Sequence, residues 1–173
     1  MSTKIKEAEV FASLAHFGQV RKYTGDPYIV HPFAVAEIVK DHGFDEDAII
    51  AALLHDVVED CEVEYSEIHE RFGLKVAELV FFLTDPPKSE TGGNRAERKA
   101  MTIKRFETAP AVAHSIKVAD ILHNSESIGE FDPDFSKVFF GEVTRLLDSL
   151  HRADPRLMKI ARERIRHFKA IRS

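Results

Sequence analysis

Cysteine is almost absent from this sequence of 173 residues, which has one cysteine, Cys61, and no tryptophan. A single thiol excludes an internal disulfide and any metal site built from several thiolates. No apolar run approaches the length needed to cross a membrane, and the first residues lack the pattern of a secretory signal. These absences predict residence in the cytoplasm, with no membrane partner.

Positive charge is also in the minority, since 24 Lys and Arg face 29 Asp and Glu, for a formal net charge of −5. An acidic protein is a poor general partner for nucleic acid, so we expect none. Basic side chains nevertheless cluster between residues 95 and 105, where they suit a small polyanion. The length predicts one domain over residues 1–173, or a domain with a short appendage. We expect a monomer or a homodimer.

Apolar residues recur with helical spacing through most of the chain, and no segment alternates polar and apolar residues as a strand would. Turn signals such as Gly25-Asp26-Pro27 and Pro86-Pro87 separate the helical stretches. The pattern predicts an all-α fold of about eight to nine helices, with a core over about 5–150 and a final helix over about 155–171. We expect the Ser- and Gly-containing loop over 88–94 to be flexible.

The stretch from Ala51 to Asp60 places four metal-competent or acid-base side chains after an apolar, helix-forming run. In a continuous helix, His55 and Glu59 share one face, and Asp56 and Asp60 share the adjacent one. Burying such a cluster is costly unless a partner compensates it, and a bound cation is such a partner. The alternative is a solvated acidic helix end, although acidic residues favour the beginning of a helix over its end.

Two further side chains suit the same cation. His31 begins a predicted helix, and Asp120 lies in an apolar, helix-periodic stretch, so it faces the core or a cleft. With His55 and Asp56 they make a mixed nitrogen and oxygen set that suits Mn²⁺, with Fe²⁺ and Zn²⁺ as alternatives. One such ion per chain would leave positions open for water, whose pKa falls on metal binding so that it can attack phosphorus at neutral pH.

Three stretches carry a resemblance to a known family, namely QVRKYTGDPYIVHP at 19–32, LHDVVED at 54–60 and KVADILHN at 117–124. In this order and at these separations they resemble the HD superfamily of metal-dependent phosphohydrolases. More narrowly, they are similar to the hydrolase branch of the Rel/Spo alarmone enzymes, from about Phe11 to about Leu150. The resemblance implies an HD-domain helical bundle, and a chain of this length looks like a stand-alone small alarmone hydrolase.

The family removes pyrophosphate from the 3′ position of guanosine tetra- or pentaphosphate, (p)ppGpp. The resemblance implies that one Mn²⁺ is bound by the four candidate ligands His31, His55, Asp56 and Asp120. It also implies that the attacking water is positioned and activated by Glu59 and Asp60, and that the nucleotide is contacted by Arg21, Lys22 and Asn124. Further candidates for binding a second phosphate group are Lys99 and Arg98 in the basic cluster, and Arg145 on the eighth predicted helix is a candidate substrate contact.

The chain departs from the family at two positions near the last candidate ligand. Ile121 stands where Arg or Lys is common, and Ser125 stands where a larger apolar residue is usual. These differences motivate an alternative function, a broader nucleotide phosphatase acting on NADPH or a nucleoside phosphate. Another alternative is a sensor that binds the alarmone without turnover. We expect Tyr28 to pack on its own loop, and His123, which lies off the Asp120 face, to be structural.

Overall fold

The computed structural model describes residues 2–87, 89 and 94–171, and this part of the chain is all-α. The described residues form ten helical segments, or nine when α3 and α4 are counted as one interrupted helix, so the predicted bundle of about eight to nine helices is confirmed. Most of the loop that we expected to be flexible, residues 88 and 90–93, lies outside the described residues. The helices are α1 Thr3–Ala15, α2 Val30–Asp41, α3 Glu46–Leu54, α4 Val57–Asp60, α5 Tyr65–Phe72, α6 Leu74–Leu83, α7 Arg95–Phe106, α8 Ala111–Phe131, α9 Pro133–Ser149 and α10 Pro155–Ala170.

Polar residues at helix starts explain several of these boundaries. Asp45 accepts a hydrogen bond from the Ala48 N–H at 3.0 Å, at the start of α3. Asn94 caps α7 in the same way, and Asp154 caps α10, where Pro155 takes the first helical position. Such caps satisfy N–H groups that a helix cannot pair internally.

Helix α3 lies at the centre of the bundle. Seven of its nine residues are buried, and it packs against α1, α2, α6 and α8. A helix that is apolar on all sides is typical of this surrounded position. Polar groups at its carboxyl end are therefore enclosed by other helices, and His55 and Asp56 lie there.

The prediction of one continuous helix through His55 and Asp56 is wrong. Helix α3 ends one residue before His55, and α4 begins one residue after Asp56. The His55 side chain makes a hydrogen bond to the carbonyl oxygen of Ala52 at 2.7 Å. Asp56 has φ −101° and ψ −8°, which differ from ideal helical geometry. The two acids that follow on α4 therefore take their positions from this turn and not from the periodicity of one helix.

The last helix, α10, packs against α8 and α9. Its residues Leu157, Ala161 and Ile165 are buried in the same hydrophobic cluster as the central helices. Gly129 on α8 permits this close approach, because a Cβ atom there would lie 2.7 Å from the Phe168 ring. No described helix is long and apolar enough to span a membrane.

Candidate metal centre and active site

Four side chains converge at the carboxyl end of α3. The Nε2 atom of His31, from the first turn of α2, lies 3.2 Å from Asp120 Oδ1 and 3.6 Å from Asp56 Oδ2. The Nε2 atom of His55 lies 3.2 Å from Asp56 Oδ2 and 3.8 Å from Asp120 Oδ1. The fold thus brings together all four residues that the sequence suggests as metal ligands, although Asp120 comes from the distant helix α8.

The spacing and chemistry of these atoms fit a divalent cation. Around an octahedral ion with bonds of about 2.1 Å, neighbouring ligand atoms lie about 3 Å apart, which is close to the observed separations. Ligand atoms of His31, His55 and Asp56 all lie within 4.8 Å of one another. The His55 Nε2 atom is buried and has no hydrogen-bond partner among the described residues. A cation bound here would give that nitrogen its partner.

The second nitrogen of each histidine is also held in place. His55 Nδ1 lies 2.7 Å from the Ala52 carbonyl oxygen, and because a carbonyl only accepts, Nδ1 carries a proton and Nε2 is the nitrogen that faces the two carboxylates. His31 Nδ1 lies 2.8 Å from His123 Nδ1. Burial and the neighbouring His31 lower the pKa of His123 to about 4, so His123 is neutral and can accept from His31. His123, which we expected to be structural, thus contacts a candidate ligand directly.

The Lys117 side chain, which is only 12% exposed, keeps the Asp120 carboxylate ionised. Lys117 Nζ lies 2.9 Å from Asp120 Oδ2, and Asn124 Nδ2 donates to Asp120 Oδ1 at 2.7 Å. Burial alone would raise the pKa of Asp120, but the Lys117 ammonium and the two imidazoles hold it well below its usual range. Asp120 can therefore pair with Lys117 through one oxygen and face the histidines through the other.

The carboxylates of this cluster attract positive charge strongly. Burial would lower the pKa of His55, but the charges of Asp56 and Asp120 raise it to about 9. In the same way, the imidazoles of His55 and His31 hold the pKa of Asp56 below its usual value against the effect of burial. A divalent cation would satisfy this attraction and compete with the His55 proton for the same place.

The candidate catalytic acids Glu59 and Asp60 lie on α4 beside this cluster. The Tyr28 hydroxyl lies 2.7 Å from Asp56 Oδ2 and 3.2 Å from Asp60 Oδ2, and the Asp85 N–H donates to Glu59 Oε2 at 3.0 Å. Close packing and the Asp85 charge raise the pKa of Glu59 to about 7, although the residue opens on a cleft. Such a carboxyl is suited to accept a proton from water at neutral pH. Tyr28, which we expected to pack on its own loop, is part of this site.

Two of the predicted nucleotide contacts lie near the candidate ligands, and a third lies at the rim. Arg21 Nη2 donates to Asn124 Oδ1 at 2.8 Å, and its guanidinium lies 5.6 Å from the centre of the Tyr28 ring. Asn124 in turn contacts Asp120. Lys22 is 74% exposed, and its Nζ lies 3.5 Å from Asp132 Oδ2. Arg21 is therefore fixed next to the candidate metal centre, whereas Lys22 extends into solvent.

Lys99 and Arg145 lie apart from the candidate ligands. Both line a pocket of about 320 Å³ between α7 and α9, whose described lining includes none of the four ligands. Lys99 Nζ also lies 2.5 Å from Asp85 Oδ2, and the Asp85 N–H contacts Glu59. Lys99 is thus connected to the catalytic acids through one residue, while Arg145 is exposed on the far wall of the pocket.

The two departures from the family pattern lie in the interior. Ile121 and Ser125 are both buried, and the Ser125 hydroxyl donates to the Ile121 carbonyl oxygen at 2.6 Å. They therefore belong to the packing of α8. Their positions do not support a changed nucleotide contact.

Comparison with known sequences relates these features to a family. The family model described as HD domain matches residues 8–105. A guanosine-3′,5′-bis(diphosphate) 3′-pyrophosphohydrolase of Aquifex aeolicus is 38% identical over 143 residues, which are 83% of this chain and 20% of that protein. The bifunctional (p)ppGpp synthase/hydrolase SpoT of Escherichia coli is 36% identical over 134 residues, which are 76% of this chain and 19% of that protein. The chain spans about a fifth of the length of these curated relatives.

Solved structures extend the likeness to nearly the whole fold. One, described as a metazoan ortholog of SpoT that hydrolyzes ppGpp and plays a role in starvation responses, has a TM-score of 0.87 at 28% identity and covers 96% of both chains. Another, lmo0812 of Listeria monocytogenes EGD-e, has a TM-score of 0.65 at 31% identity and covers 86% of this chain and 99% of that one. The helical architecture around the four convergent side chains is therefore shared with both.

Proposed function

The chain belongs to the HD-domain family, and from this premise we propose that it is a metal-dependent hydrolase that removes pyrophosphate from the 3′ position of ppGpp or pppGpp. A relative that matches 83% of the chain is named for this reaction, and a structure that matches along its whole fold is described as hydrolyzing ppGpp. The structural feature that supports the proposal most is the convergence of His31, His55, Asp56 and Asp120 beside Glu59.

We propose Mn²⁺ as the cation, with one ion per chain held by these two histidines and two aspartates. Carboxylate ligands and water suit Mn²⁺, and four protein ligands leave open positions in an octahedral shell. When bound, the ion would neutralise charge on the phosphoryl oxygens and lower the pKa of water. Action in the cytoplasm, as a monomer or homodimer, stays a prediction.

The chain's own residues would position the substrate and move the proton. Glu59 and Asp60 are placed to accept the proton of the attacking water. A bond forms between the water oxygen and the phosphorus next to the ribose, the bond from that phosphorus to the 3′-oxygen breaks, and the 3′-oxygen takes up a proton. Arg21, held on Asn124, would bind a phosphate group. Lys22 at the rim and the pocket of Lys99 and Arg145 would receive the rest of the nucleotide.

The test is turnover by metal-stripped protein reloaded with Mn²⁺ and incubated with ppGpp, with the products separated by anion exchange. We expect GDP and pyrophosphate in equal amounts, and none from Asp56→Ala, which lacks a ligand. Release of orthophosphate alone would contradict the proposal and favour the broader nucleotide phosphatase. Binding of ppGpp without any product in the Mn²⁺-loaded protein would favour the sensor.

A further inference from the structure

A second cationic surface borders the catalytic acids. A cleft of about 690 Å³, here called the Arg98 cleft, is lined by residues that include Glu59, Asp60, Asp85, Arg98 and Arg105. One end of the cleft is formed by the two acids Glu59 and Asp60. This end lies next to the candidate metal centre, since the Tyr28 hydroxyl contacts both Asp60 and the candidate ligand Asp56. Its far wall is formed by α7. The cleft therefore extends from the reacting centre toward the basic helix.

Most charges in this cleft already have partners. Asp85 is paired with Lys99 at 2.5 Å and accepts a hydrogen bond from the Thr102 hydroxyl at 2.7 Å. Arg105 Nη1 donates to the carbonyl oxygens of Phe81 at 3.1 Å and Thr84 at 2.6 Å. Because these groups are occupied within the protein, they offer little to an incoming anion.

Arg98 is different. Its Nε atom is buried and has no hydrogen-bond partner among the described residues. A buried guanidinium N–H without a partner is costly, and the guanidinium of arginine suits a phosphate group through paired N–H donors. Arg98 is thus a cation in the cleft wall with a donor still to be satisfied.

Arg98 and Arg21 serve different parts of the site. Arg21 contacts Asn124 and lies over the Tyr28 ring, and neither it nor Asn124 lines the Arg98 cleft. The two cationic groups are therefore separate, with Arg98 in the wall of the cleft that contains Glu59 and Asp60, and Arg21 next to Tyr28 and Asn124. A substrate with phosphate at more than one position on the same ribose fits such an arrangement.

We propose that the Arg98 cleft binds the terminal phosphate of the 3′-diphosphate, and that Arg98 selects a 3′-diphosphate over a 3′-monophosphate. The inference rests on the proposed function and deepens it. Water attacks the phosphorus next to the ribose, so the terminal phosphate stays attached to that phosphorus through the reaction and leaves with it as pyrophosphate. A terminal phosphate carries close to two negative charges at neutral pH, and beside two acids it requires a cation.

The test compares kcat/KM for ppGpp with kcat/KM for the analogue that carries a single 3′-phosphate, in the Mn²⁺-loaded protein. Arg98→Gln should lower kcat/KM for ppGpp by about 10- to 100-fold, as expected for lost hydrogen bonds to a charged group. It should change kcat/KM for the analogue with a single 3′-phosphate by less than about twofold. Arg98→Lys should recover part of the loss. Lys104→Gln, an exposed change on the same helix α7, should leave both values as in the wild type.

Binding of inorganic pyrophosphate to the metal-free protein, followed by calorimetry, separates this inference from the proposed function, because no turnover is needed. We expect weaker binding by Arg98→Gln than by the wild type and by Lys104→Gln. Equal affinities, or an equal loss of activity on both nucleotides, would overturn the role of Arg98 even in a protein that hydrolyses ppGpp. A retained difference in affinity would uphold the cleft even in a protein that does not.

Discussion

The Tyr28 hydroxyl joins a candidate metal ligand to a candidate catalytic acid, so its removal tests how the two are coupled. It lies 2.7 Å from Asp56 Oδ2 and 3.2 Å from Asp60 Oδ2. Burial and the charges of Asp56 and Asp60 raise the pKa of Tyr28, so the hydroxyl stays protonated and acts as a donor to these acids. Tyr28→Phe keeps the ring, whose centre lies 4.8 Å from that of His16, and removes only the donor.

The size of the effect follows from the charge of the acceptors. A hydrogen bond to an ionised group contributes about 1.5–3 kcal/mol, or about 10- to 150-fold in an equilibrium constant. The loop that carries Tyr28 is partly open, so water can replace part of the lost bond. We therefore expect the lower end of this range, with about tenfold weaker Mn²⁺ binding because Asp56 is less well oriented. We expect a further fall in kcat at saturating Mn²⁺, because Asp60 loses the same donor.

Electron paramagnetic resonance of free Mn²⁺ gives the metal affinity, and steady-state turnover at saturating Mn²⁺ gives kcat. Tyr23→Phe is the matched control, since the Tyr23 hydroxyl lies 2.8 Å from Asp132 Oδ2 and is on the same loop. It should bind Mn²⁺ as the wild type does. If Tyr28→Phe bound Mn²⁺ and turned over like the wild type, the coupling between ligand and acid through this hydroxyl would be refuted.

Three further changes probe other parts of the site. Glu59→Gln should retain Mn²⁺ and lower kcat by about 10²- to 10⁴-fold. Wild-type activity should fall at low pH, because a protonated Glu59 cannot accept a proton. The pKa of Glu59 is about 7 in the metal-free protein, and a bound cation lowers it, so the fall in activity should lie below pH 7. A pH–rate profile of Glu59→Gln should lack this fall. Lys117→Met should lower the free energy of unfolding in urea by about 3 kcal/mol, because Asp120 loses its ammonium partner and keeps only its contacts with Asn124 and the two imidazoles. His123→Phe should weaken Mn²⁺ binding by about 10- to 100-fold, because His31 loses the partner of its Nδ1 atom.

Each of these has an outcome that contradicts it. Loss of Mn²⁺ by Glu59→Gln would mean that Glu59 is itself a ligand. An unchanged urea midpoint for Lys117→Met would mean that the buried ion pair does not stabilise the metal-free fold. His114→Phe is the control for His123→Phe, because His114 lies buried on the same helix but packs its ring against Phe106; equal effects of the two on Mn²⁺ binding would point to a general disturbance of α8.

The four candidate ligands could be predicted from sequence because few residue types can hold a cation and each lies in a local pattern. His55 and Asp56 follow an apolar run, His31 precedes a helix-starting proline, and Asp120 interrupts an apolar face. The interruption between α3 and α4 could not be predicted in the same way. Periodicity runs through it without a Gly or Pro signal, and the turn is accompanied by a side-chain bond from His55 to the Ala52 carbonyl oxygen.

The groups that hold the side chains of the candidate site in place could not be recognised in the sequence, and Asp85 shows why. It follows a predicted helix end and precedes two prolines, so it looks like an ordinary loop residue. Its backbone N–H holds Glu59, and its carboxylate holds Lys99 and Thr102. A supporting group needs only a donor or an acceptor in the right place, and even a main-chain amide serves. Cation chemistry restricts the ligands to a few residue types, whereas the support comes from whichever chain segment the fold places beside them.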